Sequence, residues 1–138
     1  MVKTLGFILN ESHCDEQSIP IPLKLLEFLE KGRWDAFSEH MLDLREKGLD
    51  LVIVNQDISF SAQPLAPGIH LEVRTSIDRF GNRTLVLLQE IWDPQKNQRY
   101  CSAKVTNCLA EKESGKAVFL TEELRDLFDS CSLFLCPK

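Results

Sequence analysis

The sequence has no strong surplus of positive charge, no paired-cysteine motif and, near its start, no apolar run longer than Leu5 to Leu9. Each absence removes a class of function. A run of that length falls short of both the hydrophobic part of a secretion signal and a membrane span, so the expected address is the cytoplasm, with no membrane partner. Sixteen Lys and Arg against twenty-one Asp and Glu leave a net charge of −5. Proteins that grip a phosphate backbone carry the opposite imbalance, so nucleic acid is not expected as a partner. The five cysteines, Cys14, Cys101, Cys108, Cys131 and Cys136, form an odd set without a C-x-x-C pair. Neither a disulfide framework nor a zinc ribbon follows, and they read as reduced thiols, most of them buried. His13, His40 and His70 lack a ligand spacing, so no metal site is expected. No internal repeat or low-complexity segment is present.

What remains is an ordinary globular composition, 43% hydrophobic and 27% charged over 138 residues. That length suits one core, so residues 1–138 are expected to form a single domain. Residues 4–9 suggest a first strand. From Leu23 the apolar residues recur at helical spacing through Leu25, Leu26, Phe28, Leu29, Trp34, Phe37, Met41 and Leu44, with a stop at Gly48. Gly32 and Ala36 lie in line with Leu25 and Leu29, a small-residue stripe that costs helix propensity but permits close packing. Beyond Asp50 the period becomes alternating. Four strands are expected: one placing Val52, Val54, Ile58 and Phe60 on a common face, a second from Ile69 to Asp78, a third from Thr84 to Trp92 and a fourth from Arg99 to Ala110. The third is apolar on both faces from Leu85 to Leu88, which suits a central strand or a subunit interface. Short Pro-, Gly- and Asn-containing connections imply antiparallel neighbours. A last helix starts at Thr121 as N-cap and runs through Phe128; Cys131 to Lys138 are apolar without a clear pattern.

The chemistry is expected in the stretch from Glu11 to Arg33. There a polar turn with His13, Cys14 and Asp15 runs through Ser18-Ile-Pro-Ile-Pro22 into the long helix. A proline at the first helical turn is a start signal, because its missing N–H would be unpaired there anyway. Asp15 therefore stands before a helix N-terminus, where backbone N–H groups and the helix dipole suit a developing negative charge. On pattern alone, an Asp there caps a turn as readily as it does chemistry. Glu30 and Arg33 read equally well as an exposed i,i+3 pair. His13-Cys14 lacks a third orienting group for a cysteine nucleophile.

One strand, a long helix, four antiparallel strands and a terminal helix make an α+β domain. At this point the chain resembles the hotdog-fold acyl-CoA thioesterases of the 4-hydroxybenzoyl-CoA thioesterase-like family. The likeness rests on Cys14-Asp15 at the centre of the family's opening motif, Phe28-Leu29-Glu30-Lys31-Gly32-Arg33 as its helical continuation, Pro64 to Gly68 as the following turn, and Ile77 to Ile91 as the next strand pair. It implies an antiparallel sheet of about five strands wrapped around one long central helix, with a short C-terminal helix. It further implies hydrolysis of an acyl-CoA or acyl-carrier thioester in an inter-subunit site of a homodimer or homotetramer. No cofactor is implied beyond coenzyme A within the substrate. Asp15 becomes the general base or nucleophile, with His13 and Glu30 as secondary candidates. Arg79, Gly81, Arg83 and Thr84 become the coenzyme A side. The sequence departs from the family at His13, Ser18, Pro20 and Pro22. Where the family places an oxyanion N–H, Pro22 has none. Either the Leu23 N–H donates instead, or the protein is a non-hydrolytic hotdog that binds an acyl thioester or a protein partner. A hotdog dehydratase, with His13 beside the carboxylate, is a third expectation.

Overall fold

The structure, a computed structural model, describes residues 2–129. Cys131 to Lys138 lie outside the described residues. The chain order is β1 (Lys3–Ile8), a short 3-10 turn (Glu11–His13), α1 (Pro22–Glu46), β2 (Leu49–Phe60), β3 (His70–Phe80), β4 (Thr84–Asp93), β5 (Gln98–Glu111) and α2 (Glu122–Asp129). The five strands form one sheet in the order β1-β3-β4-β5-β2, every pairing antiparallel. It curves around α1, the hotdog architecture that the resemblance implied. Among the described residues, no helix is long and apolar enough to cross a membrane.

Helix α1 forms where the apolar period demands it, and it buries Leu25, Leu29, Gly32, Arg33, Ala36, Phe37, Met41 and Leu44 against the sheet. Full burial of a Leu or Phe side chain contributes about 1.5–3 kcal/mol. Trp34, on the same helix, is instead 47% exposed. The small-residue stripe does what its composition suggests: a Cβ built on Gly32 would stand 2.5 Å from Val73 Cγ1 on β3. The helix ends at Gly48, whose φ of +73° takes the left-handed conformation that glycine adopts freely. At α2, Thr121 Oγ1 accepts the Leu124 N–H at 3.3 Å, the expected N-cap. Phe128 then packs edge-on against Phe37 at 5.5 Å between ring centroids.

Strand β4 is the central strand. Its odd residues Leu85, Leu87 and Ile91 join the core beneath α1, and Val86 on the opposite face is only 3% exposed. The chain's own strands β3 and β5 flank β4 on both edges, while Leu88 on the outward face stays half-buried. Strand β2 departs from the expected face. The ladder to β5 skips between Ile53 and Asn55, so Val54 is a bulge residue. Before the bulge Leu51 and Ile53 share the phase of the inward Leu109 and Asn107; after it Gln56 and Ile58 do. Val52 and Val54 thus do not share a face with Ile58 and Phe60. One inserted residue reverses which face alternate side chains take.

Candidate functional site

Residues 13–21 form a tight loop held by its own backbone. Asp15 N donates to Ile19 O at 2.9 Å, Ser18 N to Asp15 O at 3.0 Å, and Ile21 N to His13 O at 2.8 Å. Leu65 N donates to Ser18 O at 2.9 Å, tying the loop to the segment between β2 and β3. Ser18 sits at φ +61°, a left-handed conformation that glycine adopts more freely than serine. Within the loop, Asp15 is exposed and its Oδ1 accepts two backbone N–H groups, Gln17 at 2.8 Å and Ile19 at 3.0 Å. The carboxylate shapes its own turn. Its Oδ2 takes no further hydrogen bond among the described residues.

The loop delivers the chain to α1 with Ile21 at the N-cap, a residue without a side-chain acceptor, and with no acidic residue in the first turn. Four N–H groups at a helix start have no partner within the helix. Here Lys24 N and Leu25 N reach back to Ile21 O at 2.9 and 3.2 Å, and Pro22 has no N–H. The Leu23 N–H donates to no backbone acceptor among the described residues. It is thus the donor left open at the positive end of α1.

The other candidates are dispersed. His13 neighbours Asp15 in sequence, but its Nδ1 accepts the Asn10 N–H at 2.9 Å and its ring lies edge-on to Phe28. Glu30 is exposed on α1, eight residues beyond Pro22 and so about 12 Å further along the axis. Arg79, Gly81, Arg83 and Thr84 stand at the far end of β3 and the start of β4. The Asp15 loop meets the other end of the sheet, about 30 Å away at the usual strand rise. Two of the four are already used: Arg83 stacks over Phe119 at 4.2 Å, and Gly81 O accepts Arg125 Nη2 at 3.2 Å. Within one chain these residues do not reach Asp15.

Two features escaped the sequence reading. Tyr100, the residue that the β4–β5 ladder skips between Arg99 and Cys101, donates from its hydroxyl to Gln63 O at 2.7 Å. Burial first, then the nearby Cys14, Cys101 and Asp15, push its phenol up to about 12. The same desolvation raises the Cys14 thiol, with Asp15 adding to it, so Cys14 is a poor nucleophile. The second feature is a cleft of about 470 Å³ between α1 and β2, walled by Phe37, Met41, Leu51 and Ile53, with Glu30 and Asp50 also on its lining. At its floor, Arg33 Nη1 donates to Gln89 Oε1 at 2.9 Å, and Gln89 Nε2 donates to Leu29 O and Thr75 Oγ1, both at 3.0 Å. The signal was present as polar residues, Gln89 and Asn107, in the inward phase of otherwise apolar strands. Among the described residues, no three His, Cys, Asp or Glu side chains gather as metal ligands.

Comparison with known proteins agrees with the fold. The probable thioesterase YbaW of Escherichia coli superposes with a TM-score of 0.86 at 22% identity, over 93% of this chain and 97% of that one. The 1,4-dihydroxy-2-naphthoyl-CoA thioesterase Slr0204 of Synechocystis gives 0.78 at 15% identity, over 94% and 96%. The protein SAV2348 of Staphylococcus aureus, solved in complex with CoA, gives 0.83 at 10% identity, over 100% and 89%. No curated protein sequence matches significantly. The sequence profile of the Thioesterase superfamily matches residues 24–99, more than half of the chain, and so the protein belongs to that superfamily.

Proposed function

We propose that the protein hydrolyses an acyl thioester at the start of α1, with Asp15 as general base or nucleophile and the Leu23 N–H polarising the carbonyl. The observation that carries this reading is the pairing of an exposed carboxylate, whose Oδ2 is free, with an uncapped helix N-terminus whose open donor is Leu23. As a base, Asp15 takes a proton from water while the water oxygen adds to the carbonyl carbon. The C–S bond then breaks and the thiolate leaves with that proton, giving a carboxylic acid and a thiol. Charge developing on the carbonyl oxygen is met by the Leu23 N–H and the helix dipole. Leu23 takes over the role that Pro22 cannot fill.

The acyl group runs from that point along α1 into the α1–β2 cleft. Coenzyme A is the favoured handle, with an acyl-carrier protein as the alternative. Arg79, Gly81, Arg83 and Thr84 serve it only across subunits, since within one chain they lie at the wrong end of the sheet. The edge of β2 offers the means for a homo-oligomer: it pairs with β5 alone, and it exposes Val52, Ile53, Val54 and Phe60 by 38–56%.

Kinetic assay of an acyl-CoA panel with wild type and Asp15→Asn tests the mechanism. Asparagine keeps the oxygen that accepts Gln17 N and Ile19 N, so the loop survives while the base is lost. A fall of about 10²–10⁴-fold in kcat is expected; equal turnover by both proteins, or none by wild type, refutes it. The second reading is a non-hydrolytic binder of acyl thioesters or of a protein partner, favoured by the double N–H contact of Asp15 and by the two prolines, Pro20 and Pro22. Binding without turnover is its signature. The dehydratase reading loses ground to the existing contacts of His13 with Asn10 and Phe28.

A further inference from the structure

Arg33 is the anomaly of the cleft. The residue is only 7% exposed, yet a single hydrogen bond, from Nη1 to Gln89 Oε1, accounts for one of its five donors. Among the described residues no carboxylate forms a salt bridge with it. Gln89 meets Arg33 only through Oε1, since its amide hydrogens, which go to Leu29 O and Thr75 Oγ1, cannot accept from a guanidinium. None of its other donors is sealed from solvent, so in the free protein water in the cleft that Arg33 lines meets them, with the Glu30 charge acting on the guanidinium as well, and a ligand that fills the cleft displaces that water. Nearby, Asn107 Nδ2 is committed to Val105 O at 3.2 Å and Leu85 O at 3.4 Å, which leaves its Oδ1 as an acceptor on the same lining.

These groups define a ligand. Apolar walls suit a hydrocarbon or aromatic body, the Arg33 N–H groups need an oxygen, and Asn107 Oδ1 accepts from a hydroxyl if one is offered. A negatively charged group on the acyl chain is disfavoured, because Glu30 and Asp50 line the same cleft. Resting on the thioesterase reading above, we infer that Arg33 determines specificity by reading a neutral oxygen on the acyl group, so that hydroxy- or oxo-substituted acyl thioesters are preferred over plain alkyl ones. A plain chain would bury the guanidinium's open donors against carbon. Leaving donors of a charged group unmatched disfavours the plain analogue by roughly 10- to 100-fold.

The test compares matched pairs of acyl-CoA esters, equal in length, with and without a hydroxyl or oxo group part way along the chain, and a third set ending in a carboxylate. In parallel, Kd is measured for the matching S-alkyl CoA thioethers, which cannot be hydrolysed. Wild type is expected to favour the hydroxyl and oxo compounds at least 10-fold in kcat/KM and in Kd, with the carboxylate set the weakest. Arg33→Met collapses the ratio towards one. Because that variant disturbs a buried network, Ile53→Trp serves as the second: it fills the cleft from the edge strand, leaves the Arg33–Gln89 bond in place, and weakens all thioethers alike. Equal Kd for oxygenated and plain thioethers in wild type overturns the inference, as does a Kd insensitive to both substitutions, the result expected if a second copy of the chain fills the cleft. Absence of hydrolysis with a retained thioether preference refutes the proposed reaction and leaves the Arg33 assignment standing.

Discussion

Replacing Gly32 by alanine measures how closely α1 lies against the sheet. The added Cβ would meet Val73 Cγ1 at 2.5 Å and Val73 Cβ at 3.1 Å, with Gln89 Nε2 at 3.4 Å. Ordinary carbon contacts are about 3.5–4.0 Å, so roughly 1 Å must be found. Val73 gives little: it is 1% exposed, β-branched and held in the ladder between β1 and β4. The helix gives little either, because Gln89 binds Leu29 O and Arg33 on either side of residue 32. Overpacking of this kind costs about 1–3 kcal/mol, while removing a glycine from a helix interior returns up to about 1 kcal/mol. The net is a destabilisation of about 1–2 kcal/mol, or a fall in Tm of roughly 3–10 °C for a domain of this size. Urea denaturation of wild type, Gly32→Ala, Val73→Ala and the double variant gives the assay. If the clash is the cause, the double variant is more stable than the two single changes predict by about 1 kcal/mol. A Gly32→Ala protein as stable as wild type refutes the close approach.

Ser18→Gly relieves a left-handed backbone at φ +61° and is expected to raise stability by roughly 1 kcal/mol; a loss on thermal melting would contradict it. Burial raises the Cys101 thiol from 9.0 to about 12 and the Tyr100 phenol from 10.0 to about 12. The unfolded chain therefore ionises first, and stability present below pH 9 is lost as the pH rises towards 12. Urea midpoints at pH 8 and pH 11 are expected to differ, with Cys101→Ala reducing the difference; equal midpoints in wild type sink the prediction. Light scattering at micromolar concentration is expected to find a dimer or larger, and Val54→Lys on the exposed edge is expected to shift it towards monomer; a monomeric wild type rules out the cross-subunit site.

The element types were legible because they depend on short-range rules. Pro22 and Gly48 bracket α1, Thr121 opens α2, and the alternation from Ile69 to Asp78 matches the burial of Leu71, Val73, Thr75 and Ile77. Asp15 was legible as a helix-entry carboxylate, and its family role came with the motif around it. What could not be read was any property set by a partner distant in sequence. The bulge at Val54 exists only relative to β5. Likewise the approach of Tyr100 to the Cys14–Asp15 turn joins residues more than eighty positions apart.

Arg33 marks the division most clearly. As sequence it is half of an i,i+3 pair on what reads as a solvated helix face, and its spacing says no more than that. The sequence alone determined the helix, the small residue beside Arg33 and the alternating strands, because each follows from backbone sterics and hydrophobic period. Only the tertiary structure decided that the sheet closes over that face, that Gln89 from fifty-six residues away takes one Arg33 donor, and that the others open on a cleft. Burial and hydrogen-bond satisfaction are properties of the packed chain, since they depend on which surfaces meet.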